Sequence, residues 1–174
     1  MSSGEVTLRG KRVVLRPLVE GDLAPLVKLL EDPEVAEWWI RVDEARLRKE
    51  ALDDPRIRAF TIELDGEPIG EIQYAEEEDP DYRFAMMDVF VGRPWQGHGY
   101  GTEALRLLSN YLFEERGHHH LMIDPAASNK RAIAAYERVG FKPVGIMRAY
   151  ERGPDFKWRD SLLMDMLRED LREK

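Results

Sequence analysis

One stretch limits the possible folds more than any other: "GRPWQGHGYGTEAL", Gly92 to Leu105. Glycine stands at 97, 99 and 101, between a β-type run, Arg83–Val91, and an apolar-periodic helix predicted from about Thr102 to Arg116. Glycine inside a helix costs about 1 kcal/mol against alanine. Placing it where a helix must start implies that the turn needs bare backbone. The first N–H groups of a helix lack partners within it, and the macrodipole adds partial positive charge there. Without a Cβ in the way, a phosphate can reach those N–H groups. The turn therefore reads as a diphosphate cradle, although structural turns also collect glycine. The spacing Gln96-x-x-Gly99-x-Gly101 is neither the dinucleotide fingerprint nor a P-loop.

The rest of the chain supplies a mixed α/β frame. "RVVLRPL", Arg12 to Leu18, reads as a strand, followed by a helix opening at Gly21-Asp22 with Asp22 as its N-cap. After Asp32-Pro33 a second short helix carries Val35, Trp38 and Trp39, and "DEARLRKEALDD" reads as a third, solvent-facing one. Two β-type runs flank Asp65-Gly66, a strong hairpin signal. "HHHLMIDP" is a short strand. "SNKRAIAAYERVG" is a helix capped by Ser128 or Asn129 and stopped at Gly140, and two final strands close the chain. Residues 1–174 read as a single domain built around a central sheet.

Composition excludes several functions. With no cysteine there is no thiolate nucleophile, disulfide framework or Cys-based metal site. A net charge of −8 argues against nucleic acid and favours cationic small molecules, although acidity also serves solubility alone. No apolar run approaches the ~18 residues of a membrane span, and the N-terminal segment lacks an apolar leader core. A cytoplasmic protein, monomer or homodimer, is expected. The triplet His118–His120 has no ligand partner nearby, and no metal is expected.

Gln96-x-x-Gly99-x-Gly101, with "DPAASNKRAIAAYERVGFKPVG" from Asp124 to Gly145, resembles the GCN5-related N-acetyltransferases over nearly the whole chain. "EWW" (Glu37–Trp39) and "GEPIGEIQ" (Gly66–Gln73) look most like the aminoglycoside 6'-N-acetyltransferases of that family. The chain departs from them at Glu76–Asp81 and after Gly145. The resemblance implies an acyl-CoA N-acyltransferase fold with a mostly antiparallel sheet, splayed where coenzyme A lies. It implies acetyl-CoA as co-substrate, its arm along Val89 and Val91 and its diphosphate on Gln96, Gly97, His98, Gly99, Tyr100, Gly101 and Thr102. Asn129, Ala132 and Tyr136 would line the coenzyme on the following helix.

The same resemblance implies Asp88 and Tyr136 as catalytic residues, the carboxylate handling the amine and the phenol the departing thiolate. Trp38, Trp39, Gln73, Asp88 and Asp124 would bind the acceptor. Each has a plainer alternative. Asp88 could pair with Arg83, Asp124 could cap the next helix, and Tyr136 could be core packing. On a helix, adjacent tryptophans point apart, so one of Trp38 and Trp39 is expected to cover the acceptor, with Trp39 favoured. "EEEDPD", Glu76 to Asp81, is either a ring around a cation or a solvated loop. The expected reaction is direct attack of a primary amine in a ternary complex, the 6'-amine of an aminoglycoside foremost. A protein N-terminus or a siderophore lysine amine is the alternative acceptor. A CoA-binding sensor is the alternative without catalysis.

Overall fold

Antiparallel pairing begins at the N-terminal edge of one eight-stranded sheet, in a computed structural model that describes residues 6–40 and 42–173. The strands are β1 (Leu8–Arg9), β2 (Val13–Pro17), β3 (Ile57–Leu64), β4 (Glu67–Glu77), β5 (Phe84–Val91), β6 (His120–Ile123), β7 (Lys142–Arg152) and β8 (Trp158–Leu167). Their spatial order is β1-β2-β3-β4-β5-β6-β8-β7, and only β5 and β6 run parallel. The β3–β4 hairpin turns at Asp65-Gly66 with φ of 49° and 83°. Positive φ at both positions matches the hand of the strand twist, which is why this dipeptide makes hairpins.

Helices cover both faces. On one lie α4 (Tyr100–Glu114) and α5 (Lys130–Val139), whose Leu105, Leu108, Leu112 and Val139 join Ile62, Ile72 and Met87 in the main core. On the other lie α1 (Leu23–Leu30), α2 (Pro33–Ala36) and α3 (Glu44–Arg48), packing Leu26, Leu30, Val35 and Leu47 around Phe90. Each such side chain, fully buried, contributes about 2 kcal/mol. No described helix is long and apolar enough to cross a membrane.

Several local expectations need correction. α4 starts at Tyr100, so Gly101 lies inside the helix and Gly99 is its N-cap, left-handed at φ +84°. α2 ends at Ala36, so Trp38 and Trp39 stand on the loop beyond it. The α3 segment is not simply solvent-facing, because Leu47 and Ala51 are buried.

Asp22 does not cap α1. It is buried and accepts from Arg16 Nη1 (2.7 Å) and Nη2 (2.8 Å), Val19 N–H (3.0 Å) and Thr61 Oγ1 (2.8 Å). A nearby guanidinium outbids a helix N–H for a carboxylate. These bonds, resisted by burial, hold its pKa below the ordinary value. Its stabilisation is therefore present above the usual carboxylate pKa and lost on acidification. Thr61→Val is expected to cost about 2 kcal/mol, the worth of a hydrogen bond to a charged group. Urea unfolding at neutral pH checks this.

Candidate active site

The parallel pair β5–β6 is registered only at Ala85↔Leu121 and Met86↔Met122. Beyond Met86 the strands part, while β5 stays paired with β4 as far as Gly70↔Val91. Gly92 N–H bonds to Ile69 C=O. Antiparallel strands alternate the direction of their main-chain groups. Those of Val89 and Val91 therefore face the parted edge, as the resemblance implies for the coenzyme arm. Both are engaged locally. Val89 N–H donates to Asp88 Oδ1 (2.9 Å), and Val91 C=O accepts from Gln96 Nε2 (2.8 Å). Gln96 thus braces the end of β5 with its side-chain amide.

From this edge a cleft of about 700 Å³ runs to the glycine turn, lined by Val89, Val91, Gln96, Gly97, Gly99, Tyr100, Gly101, Thr102, Asn129, Ala132 and Tyr136. His98 is exposed beside it, its ring 6.0 Å from that of Tyr100. Gly97 and Gly99 hold φ of +79° and +84°, a region L side chains rarely enter. Among the described residues, the main-chain N–H groups of Gly97 through Thr102 have no hydrogen-bond partner of normal geometry. Six unmatched donors around one turn suit a diphosphate.

Two cations flank this turn, and sequence reasoning missed both. A Cβ built on Gly97 would lie 3.5 Å from Arg131 Nη2, and one on Gly99 would lie 3.2 Å from Arg12 Nη2. Arg12 is aimed by Glu103 (Nε to Oε2, 2.8 Å) and the His98 carbonyl (2.9 Å), and lies 4.6 Å from the Tyr100 ring centroid. Arg131 has no ion-pair partner among the described residues. Arg131 adjoins the capping Asn129, which was a hint. Arg12 is 91 positions from Glu103, so only the fold brings it here.

Two carboxyl groups stand beside the cleft and outside its lining: Asp88, which directly precedes the lining Val89, and Asp124, just beyond the end of β6. Asp88 has exposed surface, yet protein atoms crowd its carboxylate at the parting of the strands. The exposure lets an amine reach it, and the crowding moves its pKa. Burial first, then the charge of Asp124, push it up to about 7. Asp124 rises to about 6, again chiefly by burial, with the Tyr150 hydroxyl pulling it back. Neither takes its plainer alternative. Arg83 bonds to the Arg116 carbonyl instead of to Asp88. The α5 cap is Asn129, whose Oδ1 accepts from Ala132 N–H (3.1 Å). Tyr136 is buried, its ring 6.3 Å from Phe141, and its phenol titrates above the ordinary range through burial and the charges of Asp88 and Asp124. It is core packing and cleft lining at once.

Both tryptophans line the cleft, because they leave helical geometry. Trp39 packs edge-on against Phe90, with centroids 5.3 Å apart. The Trp38 ring lies 5.8 Å from the Arg159 guanidinium, which also bonds the Trp38 carbonyl (2.8 Å). Gln73 is the cross-strand partner of Asp88. Glu76–Asp81 stands at the far end of the β4–β5 hairpin, where Glu76 bonds Arg116 and His118. His120 bonds Asp165 separately (3.0 Å). Sequence reasoning also missed Glu71, a buried carboxyl on β4 facing Phe90.

Residues 12–142 match the family model described as an acetyltransferase (GNAT) domain. The aminoglycoside N(6')-acetyltransferase type 1 of Klebsiella pneumoniae is 31% identical over 159 residues, 80% of this chain and 79% of that one. The spermidine N(1)-acetyltransferase of Escherichia coli (strain K12) is 28% identical over 139 residues, 76% of this chain and 74% of that one. A crystal structure of aminoglycoside acetyltransferase AAC(6')-Ib in complex with coenzyme A superposes with a TM-score of 0.75 at 29% identity, covering 91% of this chain and 96% of that one.

Proposed function

The chain belongs to the GNAT acetyltransferase family, and on that premise we propose that it acetylates a primary amine of a polycationic small molecule, foremost the 6'-amine of an aminoglycoside. The observation that carries this reading is the continuity of the cleft. It runs from an N–H and arginine cradle suited to the coenzyme's diphosphate to Val89 at the parted edge of β5, the residue next to the Asp88 carboxyl.

Acetyl-CoA supplies an activated acyl carbon, and the protein supplies position and proton handling. Only a neutral amine attacks, and an alkylammonium of pKa ~10.4 needs about 4.6 kcal/mol to lose its proton at pH 7. An ordinary carboxylate is a poor acceptor for that proton. Asp88, raised to about 7, is a better one while it remains negative enough to hold the ammonium in place. Protonation also weakens its grip on Val89 N–H. That donor is then released toward the parted edge, where charge develops on the thioester oxygen. One such donor is worth roughly 3 kcal/mol of barrier. Tyr136, kept neutral, donates a hydrogen bond to the departing thiolate. Trp38, Trp39, Gln73 and Asp124 form the acceptor wall.

Thiol release from acetyl-CoA with kanamycin, spermine and a peptide tests the acceptor. Turnover with kanamycin foremost supports the reading. Turnover with the peptide alone overturns it. Spermine foremost supports a second reading, a linear polyamine acceptor, which the likeness to the spermidine enzyme favours.

A further inference from the structure

Glu71 is only 4% exposed, and its Oε1 has no hydrogen-bond partner among the described residues. Leaving a buried carboxyl oxygen unmatched is costly, more so once it ionises. Burial, then the charges of Asp88 and Glu50, raise Glu71 to about 8, so no protein cation offsets it. The side chain lines a recess of about 20 Å³ with Gln73, Glu50 and the apolar Val42 and Leu47. That is close to the room one water or one ammonium head needs. Trp39 and Phe90 line both this recess and the main cleft, so the two spaces share a wall.

The register places the recess relative to the reaction centre. Glu71 faces Phe90 and Gln73 faces Asp88 across β4–β5. Glu71 and Asp88 are therefore diagonal neighbours on one face of the sheet, about 7–8 Å apart at Cα. An aminopropyl or aminobutyl arm spans such a gap between its two nitrogens. The lining suits an organic cation. Glu71 Oε1 and the Gln73 amide oxygen can accept from an ammonium, and an indole face attracts it. Glu50 stands half-exposed at the rim, its Oε1 held by Arg46 (2.7 Å), and adds negative potential there. Among the described residues no group of three or more acidic or histidine side chains is placed to hold a metal ion.

We propose that the Glu71 recess is a second ammonium subsite, which takes a charged amine on a slender alkyl arm of the acceptor while another amine of that molecule is presented at Asp88. This rests on the acetyl-transfer reading only for the amine at Asp88. The recess is too small for a sugar ring, so discrimination falls on the arm. A linear diamine and an aminoglycoside side arm share this chemistry.

Calorimetric titration of the CoA-loaded protein with 1,4-diaminobutane, butylamine and kanamycin tests it. At pH 9, above the value to which burial raises Glu71 and below the amines' own pKa of ~10.4, diaminobutane is expected to bind about thirtyfold more tightly than butylamine, as for a desolvated charge pair. Glu71→Gln is expected to abolish that preference without changing acetyl-CoA affinity. Val42→Phe fills the recess with the carboxyl intact, and should abolish it too, which covers a Glu71 variant that fails to fold. A parallel loss for kanamycin extends the subsite to aminoglycosides; loss for diaminobutane alone confines it to linear amines. A wild-type protein without the preference, or variants that keep it, would overturn the subsite and leave the recess to water. Thiol release read alongside is separate. Its absence with every amine counts against acetyl transfer, whatever the binding preference shows.

Discussion

Asp88→Ala is expected to slow acetyl transfer by about a hundredfold or more, the usual weight of a positioned acid–base group, with acetyl-CoA affinity within about twofold of the parent. The separation follows from geometry. Asp88 stands at the parting of β5 and β6, whereas the unmatched N–H groups lie at Gly97–Thr102. The pH profile adds a sign. A base must be unprotonated, so turnover should fall as pH drops below about 7, the value to which burial and Asp124 raise Asp88. In Asp88→Asn that limb should vanish, leaving only the rise from the amine's own titration. Stability should run the other way. A carboxyl whose folded pKa is raised stabilises the fold while protonated and loses that contribution as pH climbs through the folded value. Asp88→Asn should therefore be no less stable than the parent at pH 8. A variant that lost turnover, coenzyme affinity and stability together would mark Asp88 as a structural brace.

Gly99→Val is expected to weaken acetyl-CoA binding by about a hundredfold. Two effects combine. At φ +84° a β-branched residue is strained, roughly 1–3 kcal/mol in a region that favours glycine. Its Cβ would also stand 3.2 Å from Arg12 Nη2, displacing one of the two cations beside the turn. The rest of α4 is held by Leu105, Leu108 and Leu112 in the core, so the fold should persist. Fluorescence or calorimetric titration with acetyl-CoA reads the effect. Unchanged affinity would reject the turn as the diphosphate site.

The spacing of Gln96, Gly99 and Gly101 was enough to single out the turn whose main-chain N–H groups stand unmatched, because bare backbone at a helix start is a local demand. The Asp65-Gly66 hairpin and the Asn129–Gly140 helix were equally legible, since each depends on turn or cap chemistry within a few residues. Expectations failed where a distant group competed for a local one. Asp22 has the chemistry of an N-cap, but Arg16 and Thr61 claim it. The Trp38–Trp39 segment continues an apolar pattern, yet α2 stops after Ala36 and both rings turn to the cleft. Glu71 sits in an alternating strand as an ordinary surface glutamate would, and only burial under the α1–α3 layer makes it unusual.

Sequence alone settled the family, the sheet-and-helix order and the bare-backbone turn at the start of α4, because each is written in short-range spacing and backbone chemistry. Tertiary structure alone decided that β5 leaves β6 after Met86, that Arg12, just ahead of β2, reaches the turn and pairs with Glu103 91 positions on, and that burial raises the carboxyls of Asp88, Asp124 and Glu71 above their ordinary range. The physical reason is the same in each case: strand separation, long-range ion pairing and desolvation depend on which surfaces meet in space, and no local stretch of residues encodes that meeting.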